Sequence, residues 1–461
     1  MRSLDDVIKA YDVRGVVPDQ LDSDLAHDIG AAFVRVIGAA ARDGGPGAVV
    51  IGHDMRPSGP DLVAAFADGV TEQGCDVIRI GLCSTDGMYF ASGSTGLPGA
   101  MFTASHNPAE YNGIKLCRAG ASPVGQDTGL SAIKQMVIDG VPEFGGPAGY
   151  VRDEDMLVPY AQYLRHLVGI DDIRPLKVVI DAGNGMAGYT VPAVLGDLPL
   201  DIVDLYFELD GNFPNHEANP IDPANMVDTQ QAVIANGADL GLAFDGDADR
   251  CFVVDERGEI VNPSTLTALI ASLELAKAPG APVIHNLITS RAVPEVIAEH
   301  GGTAVRTRVG HSFIKATMAE TGAVFGGEHS GHFYFRDFWR ADSGMLAALH
   351  VLSYLGHKPA GSKLSDLLAE FARYSLSGEL NTKVADAQVS IATVRAQYED
   401  QPGITIDTLD GMTVAADDWW FNLRPSNTEP LLRLNVEAKD PAQMEKVRDE
   451  VLAIVGSDAA N

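Results

Sequence analysis

Three acidic residues at alternate positions, Asp245, Asp247 and Asp249, carry the clearest chemical signal in this sequence. They directly follow the apolar run at residues 240–244, which has the length of a buried strand. Unpaired carboxylates are too costly to bury in a core, so the cluster indicates a ligand. Oxygen-only ligand sets suit Mg²⁺ or Ca²⁺, and we predict a metal site here.

Three other interpretations of the acidic cluster stay open at this point. A solvated acidic turn would need no ion. A calcium-binding EF-hand loop would have Glu256 at its twelfth position, but Arg250 stands at the sixth, where the turn needs glycine. An aspartyl-nucleophile phosphotransferase also has Asp-x-Asp after a strand, although Asp249 stands where such enzymes usually have Thr or Val.

Ser105 is the candidate reactive hydroxyl. It follows the apolar run at 99–102 and precedes His106, Asn107 and Pro108, which favour a turn or extended backbone. No Gly-x-Ser-x-Gly elbow surrounds it, and a serine without a base is a weak nucleophile. If Ser105 instead carries a phosphate, it becomes a phosphoryl donor with a charge of about −1.5 to −2. We therefore predict that the serine and carboxylate loops meet, so that a cation offsets the phosphate.

Two further loops carry polar side chains suited to a sugar phosphate. One combines a guanidinium with three small hydrogen-bonding groups, at Arg424, Ser426, Asn427 and Thr428. This set suits a phosphate dianion, because arginine binds phosphate oxygens through a fork of N–H donors; a plain polar turn would not explain the arginine. The other loop has Glu328, Ser330 and His332, whose acceptors and donors suit sugar hydroxyls.

Two segments have both a functional and a structural interpretation. Residues 183–188 follow a predicted strand and read Gly-Asn-Gly-Met-Ala-Gly, with Asp204 about 20 residues on, as in the dinucleotide-binding fingerprint. We favour a tight glycine turn, because the two sister repeats lack this pattern. Residues 53–58 are either a phosphate-binding loop or a structural turn. A nicotinamide-dependent dehydrogenase and a calcium-binding module remain as remote alternatives.

The elements that position these loops repeat three times. Short apolar, β-branched runs alternate with helical segments, which is typical of buried, mostly parallel sheets. The runs are at 48–51, 76–80, 99–102, 177–180, 201–205, 240–244, 282–284, 303–306 and 323–325. The rest of the chain has strand patterns at 378–384, 404–414, 418–422 and 431–437 and a closing helix at 441–455.

We predict an α/β fold of three repeated α/β units with mostly parallel mixed sheets, plus a C-terminal α+β domain, around a central cleft. The predicted domains are 1–147 with the Ser105 loop, 148–256 with the metal loop, 257–366 with the sugar loop and 367–461 with the phosphate loop.

Charge and composition narrow the class of protein. The chain has 461 residues, with 33 basic and 63 acidic side chains and a formal net charge of −30, which disfavours nucleic acid and anionic membranes as partners. No run reaches the roughly 18 apolar residues of a membrane span, and the first residues lack a secretory signal pattern. The four cysteines form no C-x-x-C pair and lie in or beside apolar runs, which favours buried thiols and a cytoplasmic location.

Taken together, the four loops resemble those of the phosphomannomutase/phosphoglucomutase branch of the α-D-phosphohexomutase superfamily, in the same order over essentially the whole chain. Residues 103–108 resemble the family's phosphoserine loop, 245–250 its magnesium loop, 328–332 its sugar loop and 424–430 its phosphate loop. Ala248 and His329 depart mildly from the glycine and methionine that are frequent there.

The resemblance implies a role for each matching residue. Ser105 would be the phosphoserine and would join Asp245, Asp247 and Asp249 around Mg²⁺. The other residues implied in catalysis are Lys115, Arg14, Arg250 and His311. The residues implied in substrate binding are Tyr11, Glu328, Ser330, His332, Arg424, Ser426, Asn427 and Thr428.

The implied reaction is the reversible conversion of hexose 6-phosphate and hexose 1-phosphate. Mannose phosphates are the first expected substrates and glucose phosphates the second, with a hexose 1,6-bisphosphate as intermediate and activator. Phosphoglucosamine mutase or another phosphohexomutase activity is the alternative. Lys115 and a histidine are both candidates for the general base.

Overall fold

The computed structural model describes residues 4–41, 44–45, 47–425 and 431–458, with the backbone only at 311, 312, 457 and 458. The chain forms two compact units, each built from two separate segments. Unit 1 comprises Met1–Val261 and Ser330–Leu367, and unit 2 comprises Asn262–His329 and Leu368–Asn461.

The first sheet of unit 1 contains the strand that leads into Ser105. Its strands are β1 (Val13–Val16), β2 (Ala48–His53), β3 (Asp76–Leu82), β4 (Gly99–Phe102), β5 (Tyr111–Arg118), β6 (Ser122–Pro123) and β7 (Val151–Asp153). Its helices are α1 (Ser23–Val36), α2 (Gly59–Glu72), α3 (Thr85–Thr95) and α4 (Leu130–Asp139). The strand order is β1-β5-β4-β2-β3-β7, with β6 beside β5. The strands β4, β2, β3 and β7 are parallel, whereas β1 and β6 pair with β5, and β5 with β4, in antiparallel fashion.

The second sheet of unit 1 leads into the acidic loop. Its elements are α5 (Leu157–Val168), β8 (Leu176–Asp181), α6 (Ala187–Leu195), β9 (Leu200–Leu205), α7 (Val227–Asn236), β10 (Leu240–Phe244), β11 (Cys251–Asp255) and β12 (Ile260–Val261). The order is β12-β11-β10-β8-β9, in which β10, β8 and β9 are parallel. Every residue of β10 is buried, as expected for a central strand covered on both faces.

The third repeat begins in unit 2 and ends in unit 1. In unit 2 it has α8 (Pro263–Lys277), β13 (Pro282–Asn286), α9 (Ala292–Glu299), β14 (Thr303–Thr307), α10 (His311–Thr321) and β15 (Phe325–Gly327), with β13 parallel to both β14 and β15. The chain then forms a hairpin of β16 (Phe333–Phe335) and β17 (Ala341–Asp342) in unit 1, followed by α11 (Gly344–Gly356) and α12 (Leu364–Leu368).

The C-terminal module is an antiparallel sheet with two helices. Its elements are β18 (Ser375–Lys383), α13 (Ala387–Tyr398), β19 (Thr405–Asp407), β20 (Met412–Ala415), β21 (Trp419–Pro425), β22 (Leu431–Ala438) and α14 (Pro441–Asp458), with strand order β18-β22-β21-β20-β19. Val394 of α13 and Val451 of α14 pack with Phe421 and Val436 of the sheet in one buried cluster.

The predicted fold class of three α/β units followed by an α+β module is confirmed. All nine predicted apolar runs contribute to strands, although the last strand begins at Phe325 rather than at 323. Helix α13 was not predicted, because only Ser390, Val394 and Tyr398 of its residues are buried and its apolar pattern is weak. The four domain boundaries stay a prediction.

Two further observations concern membrane-spanning helices and disulfides. Within the described residues, no helix is long and apolar enough to cross a membrane. All four cysteines are buried, and none of them forms a disulfide.

Candidate active site

The Ser105 loop follows β4, and the side chain of Arg56 holds it in place. Ser105 has a positive φ of 50°, which is uncommon outside glycine and is found at functional sites. The buried guanidinium of Arg56 donates hydrogen bonds to the carbonyl oxygens of Ser105, Asn107, Pro108 and Tyr111, at 2.7 to 3.0 Å. The segment 53–58 thus supports this loop, which favours its interpretation as a structural turn.

The structure brings the serine loop and the acidic loop together. The Ser105 hydroxyl lies 2.8 Å from Asp245 Oδ2. Ser105 as a whole residue is only 2% exposed. The backbones also touch, because a Cβ added to Gly246 would lie 2.5 Å from the Ser105 carbonyl oxygen. The juxtaposition expected of a phosphoserine and a cation site is therefore present.

The three carboxylates are arranged to hold a cation. Asp245, Asp247 and Asp249 are buried and each offers an oxygen within 4.8 Å of the others. Asp247 Oδ1 and Asp249 Oδ1 accept no hydrogen bond from any residue that the structure describes. Buried carboxylate oxygens without donors are costly, and a hard divalent cation would satisfy them. The donor set therefore fits Mg²⁺ or a similar ion.

Lys115 forms ion pairs with two of the three carboxylates. Its Nζ is 2.8 Å from Asp247 Oδ2 and 2.6 Å from Asp249 Oδ2. Burial alone would lower the pKa of Lys115, but the two carboxylates hold this pKa well above its ordinary value. Burial alone would raise the pKa of Asp249, but Lys115, His332 and Arg250 hold it well below its ordinary value. Lys115 is therefore an ammonium cation in this state of the protein.

Asp245 has the opposite electrostatic environment. Burial and the neighbouring charges of Asp249 and Asp247 raise the pKa of Asp245 well above its ordinary value, and the nearby Arg250 only partly opposes them. A cation bound here would release the proton that this carboxyl group holds, because metal binding needs the ionised ligand.

Arg250 connects the acidic loop with two histidines. Its Nη2 lies 2.9 Å from His106 Nδ1, and its Nε lies 3.2 Å from His332 Nε2. The charge of Arg250, burial and the charge of Arg14 lower the pKa of His106 well below its ordinary value, so this imidazole is neutral. His106 Nδ1 is also 3.1 Å from Ser105 Oγ, but its one lone pair faces the Arg250 donor, and the Ser105 hydroxyl donates to Asp245 Oδ2.

The other predicted residues of unit 1 are Arg14, Ser330 and Tyr11. Arg14 donates to Asn107 Oδ1 at 2.5 Å and to Asp12 Oδ2 at 2.6 Å, so it reaches the Ser105 loop through Asn107. Ser330 Oγ lies 2.9 Å from His332 Nδ1. Tyr11 is 36% exposed in the segment before β1.

Unit 2 holds a second set of predicted residues. Glu328 Oε1 accepts the Gly310 N–H at 3.2 Å and lies 3.4 Å from Asn286 Nδ2. Arg424 is buried and donates to Glu379 Oε2 at 2.6 Å. The side chain of His311 and the residues Ser426, Asn427 and Thr428 lie outside the described part of the chain.

Sequence reasoning missed several residues that hold the predicted ones in place. Thr85 donates to Asp247 Oδ2 at 2.6 Å across 162 positions of sequence, and its N–H donates to the Asp247 carbonyl. Asp342 likewise lies 4.0 Å from His332 Nε2, and Glu379 pairs with Arg424, which is distant in sequence. An isolated threonine or acid carries no sequence signal for such a contact.

The glycine-rich segment 183–188 supports the acidic loop. The Met186 N–H donates to the Gly246 carbonyl at 2.8 Å, and a Cβ on Gly185 would lie 2.6 Å from the same oxygen. A Cβ on Gly188 would lie 2.2 Å from the Phe207 carbonyl oxygen. This close packing agrees with the glycine-turn interpretation and leaves the N–H at the start of α6 bound to protein rather than available to a dinucleotide.

Comparisons with known proteins give the same architecture over the whole chain. The four domain models of the phosphoglucomutase/phosphomannomutase family match in order: domain I at 5–140, domain II at 159–258, domain III at 262–374 and the C-terminal domain at 379–454. The phosphohexose mutases of Xanthomonas campestris pv. campestris are 42% identical to the chain over 447 residues, covering 96% of it and 98% of the relative. A phosphomannomutase of Escherichia coli is 39% identical over 461 residues, covering 97% and 98%.

A solved structure agrees with these relatives. The X-ray structure of a phosphoglucomutase/phosphomannomutase family protein from Burkholderia thailandensis superimposes with a TM-score of 0.87 at 34% identity, covering 99% of this chain and 98% of that one. The fold and the buried acidic cluster thus define a four-module α/β phosphotransferase.

This chain belongs to the phosphoglucomutase/phosphomannomutase family. It is an enzyme, an intramolecular phosphotransferase of the phosphohexomutase type, and the predicted family and enzyme class are confirmed.

Proposed function

We propose that this enzyme interconverts mannose 6-phosphate and mannose 1-phosphate, and also the corresponding glucose phosphates, through a phosphorylated Ser105. The observation that carries the proposal is the contact of 2.8 Å between Ser105 Oγ and Asp245 Oδ2, within a cluster of three carboxylates that lacks enough hydrogen-bond donors. A cation bound by these carboxylates would satisfy their unpaired oxygens, and it would offset the negative charge of a phosphate on Ser105.

The reaction would proceed in two balanced transfers. In the first, the free hydroxyl of the hexose monophosphate attacks the phosphorus on Ser105, the Ser105 Oγ–P bond breaks, and a hexose 1,6-bisphosphate forms. The hydroxyl loses its proton and Ser105 Oγ gains one. The bisphosphate then turns end over end, and its other phosphate returns to Ser105 by the reverse chemistry. Because the transition state is loose, catalysis rests on positioning and charge neutralisation.

Asp245, Asp247 and Asp249, with an oxygen of the Ser105 phosphate, would hold Mg²⁺. The bound ion would supply Lewis-acid stabilisation of the charge that develops on the Ser105 oxygen. Arg250 adds fixed positive charge beside Asp245 and Lys115 adds it beside Asp247, while Arg14 holds Asn107 of the Ser105 loop.

The group that gives Ser105 Oγ its proton in the first transfer must itself hold one. Asp247 and Asp249 hold Lys115 as a cation, so Lys115 carries such a proton. His106 is neutral and its Nδ1 lies 3.1 Å from Ser105 Oγ. The Ser105 hydroxyl donates to Asp245 Oδ2 and the Arg250 Nη2 donor faces His106 Nδ1, so this ring nitrogen has no proton to give, and Lys115 and another histidine stay the candidates for the proton transfer.

A further set of residues is proposed to bind the sugar hydroxyls and the phosphate that is not being transferred: Tyr11, Glu328, Ser330, His332, Arg424, Ser426, Asn427 and Thr428. Mannose and glucose differ only at C2, so groups that bind the 3- and 4-hydroxyls would accept both sugars. The four buried cysteines form no disulfide, which supports the cytoplasmic location that we propose for the enzyme.

Intact-protein mass spectrometry and a coupled mutase assay test the proposal. We expect the purified enzyme to carry the added mass of one phosphate, and Ser105→Ala to lose both this mass and mutase activity on mannose 1-phosphate and glucose 1-phosphate. The matched control is Ser131→Ala, because Ser131 is exposed on α4. Full activity of Ser105→Ala would refute the scheme. Faster turnover of glucosamine 1-phosphate than of either substrate would favour the phosphoglucosamine mutase alternative.

A further inference from the structure

Glu379 occupies the place between the two arginines of the C-terminal sheet. It lies on β18, while Arg424 lies on β21 and Arg433 on β22, directly opposite each other in the strand register. Arg424 Nη2 is 2.6 Å from Glu379 Oε2, and Arg433 Nη1 is 3.3 Å from Glu379 Oε1. Each carboxylate oxygen therefore faces one guanidinium.

Among Glu379, Arg424, Arg433 and His329, the guanidiniums outnumber the carboxylate, and the charge of Glu328 also acts on His329. His329 Nε2 lies 3.8 Å from Glu379 Oε2, but burial and the charge of Arg424 lower the pKa of His329 to about 4, so the imidazole is neutral near pH 7. Burial alone would raise the pKa of Glu379, yet Arg424 lowers it, so Glu379 is a carboxylate anion. Among these four side chains, two cations face one anion.

The guanidiniums still have donors that Glu379 does not use. Arg424 is 8% exposed, and its Nε has no hydrogen-bond acceptor among the residues of known placement. The Nε of Arg433 is in the same situation. A carboxylate offers two oxygens, whereas a phosphate monoester offers three terminal oxygens and about twice the charge, so phosphate would satisfy this pair more fully.

We propose that Glu379 is an internal counter-ion that competes with the substrate phosphate for Arg424 and Arg433, and so keeps this phosphate exchangeable. The inference rests on the proposed function, in which Arg424 binds the phosphate that is not being transferred. During each cycle that phosphate must leave the arginines before the bisphosphate can turn, and the other phosphate must then take its place. A carboxylate that returns to the arginines weakens their hold on phosphate and favours release.

The test is Glu379→Gln, which keeps an oxygen acceptor for Arg424 but removes the negative charge. We expect the KM for mannose 1-phosphate and the inhibition constant of inorganic phosphate both to fall about three- to tenfold. We expect kcat to fall by a similar factor, because release becomes slower, and less hexose 1,6-bisphosphate to escape into solution per turnover. The matched control is Glu399→Gln, an exposed acid after α13, which should leave all four quantities unchanged.

A merely structural role for Glu379 predicts the opposite result. If Glu379 only holds the arginines in place, its loss would raise KM and the phosphate inhibition constant, and either this or unchanged constants would overturn the proposal. Should Glu379→Gln fail to fold, Arg433→Gln replaces it. Removing that cation leaves Arg424 fully neutralised by Glu379, so KM should rise about tenfold, and an unchanged KM would overturn the proposal.

The failure of this inference can be told apart from the failure of the proposed function. A wild-type enzyme without phosphorylated Ser105 and without mutase activity would refute the function itself. An active, phosphorylated wild-type enzyme whose Glu379→Gln variant binds phosphate no more tightly would refute the counter-ion role alone.

Discussion

Thr85 shows how a single hydroxyl controls a predicted metal ligand. It is buried in the first turn of α3 and donates to one oxygen of Asp247, which leaves the other oxygen without a donor. Groups that orient a metal ligand in this way typically change metal affinity about 10- to 100-fold when they are removed.

We predict that Thr85→Val raises the Mg²⁺ concentration for half-maximal mutase activity by about 10- to 100-fold, with much less change in kcat at saturating Mg²⁺. Valine keeps the shape of threonine but lacks the hydroxyl that fixes Asp247. A magnesium titration of initial rate measures the effect, and Thr85→Ser, which retains the donor, should remain close to wild type. An unaltered magnesium requirement in Thr85→Val would show that Asp247 needs no such support.

Asp86, the neighbour of Thr85, makes stability depend on pH. Its Oδ2 accepts hydrogen bonds from Ser343 Oγ at 2.6 Å and from the Tyr160 hydroxyl at 2.8 Å. Burial nevertheless raises the pKa of Asp86 to about 6. The folded state therefore retains a proton that the unfolded chain loses near pH 4, and the free energy of unfolding must fall as pH rises between these values.

We predict that Asp86→Asn removes this contribution. Relative to the variant, the wild type should lose about 1.4 kcal/mol of unfolding free energy per pH unit between pH 4 and 6, and nothing further above about pH 7. Urea unfolding of both proteins at several pH values measures the difference. A difference that stays constant with pH would mean that Asp86 does not change its protonation in this range.

At the residue scale, a role could be predicted from the sequence where the residues that share it are close together in the chain. The alternate spacing of Asp245, Asp247 and Asp249 is local, and an unpaired charge after an apolar run is informative by itself. Arg56 and Thr85 have ordinary neighbours in sequence, and their partners lie about 50 and 162 positions away. Such roles follow from the fold and not from the local pattern.

The contact between the ends of β4 and β10 depends on one small residue. Gly246 lies against the backbone of Ser105, and a methyl group there would stand 2.5 Å from the Ser105 carbonyl oxygen. Neither atom belongs to a flexible side chain, so the two loops would have to move apart.

We predict that Gly246→Ala lowers mutase activity at least about 100-fold and the free energy of unfolding by about 1–3 kcal/mol, as overpacking of a tight contact does. Activity assays and urea unfolding measure both quantities. The control is Gly456→Ala in α14, where the added methyl meets no atom within 4 Å and should stabilise the helix by up to about 1 kcal/mol. Normal activity in Gly246→Ala would contradict the close approach of the loops.

At the scale of elements, the parallel strands were the most predictable part. Runs such as Val49 to Ile51 in β2 are apolar throughout because both faces of the strand are covered. The antiparallel strand β5 was missed, since Asn112, Gly113 and Lys115 interrupt its apolar pattern. A strand that contains polar and small residues lacks the apolar pattern by which a sequence indicates a strand.

The third repeat and the C-terminal module are tied together in unit 2 by Arg291. Its side chain donates to the carbonyl oxygens of Asp417, Ala416 and Trp419 at 2.7 to 3.0 Å. Its backbone N–H donates to Glu437 Oε1 at 3.1 Å, and this oxygen also accepts the Trp420 indole N–H. The contact joins residues more than 120 positions apart.

We predict that Arg291→Met lowers the unfolding free energy of unit 2 by about 2 kcal/mol, because several carbonyl groups lose a charged donor. Hydrogen–deuterium exchange should show faster exchange at 412–425 in the variant, with unit 1 unaffected. Arg448→Met, which removes an arginine that pairs with its sequence neighbour Asp449, is the control. Equal exchange in both variants would mean that Arg291 does not stabilise the contact.

At the scale of the molecule, the order of the four modules was predictable but their grouping was not. Each module has its own alternation of strands and helices, which the sequence displays directly. The assignment of 330–367 to unit 1 depends on contacts such as that of Ser343 with Asp86, and on the close approach of Gly344 to the Arg250 carbonyl. No local pattern records which distant segment a helix will pack against.

The division of unit 2 into two stretches of sequence has a consequence for biosynthesis. Residues 262–329 leave the ribosome well before 368–461, the segment with which they form a unit. At about 5–20 residues per second, the earlier stretch waits on the order of ten seconds for its complement. During this interval its nascent strands are exposed, so we expect chaperones to bind ribosome-attached chains most strongly when synthesis has passed residue 329 but has not yet completed residues 368–461.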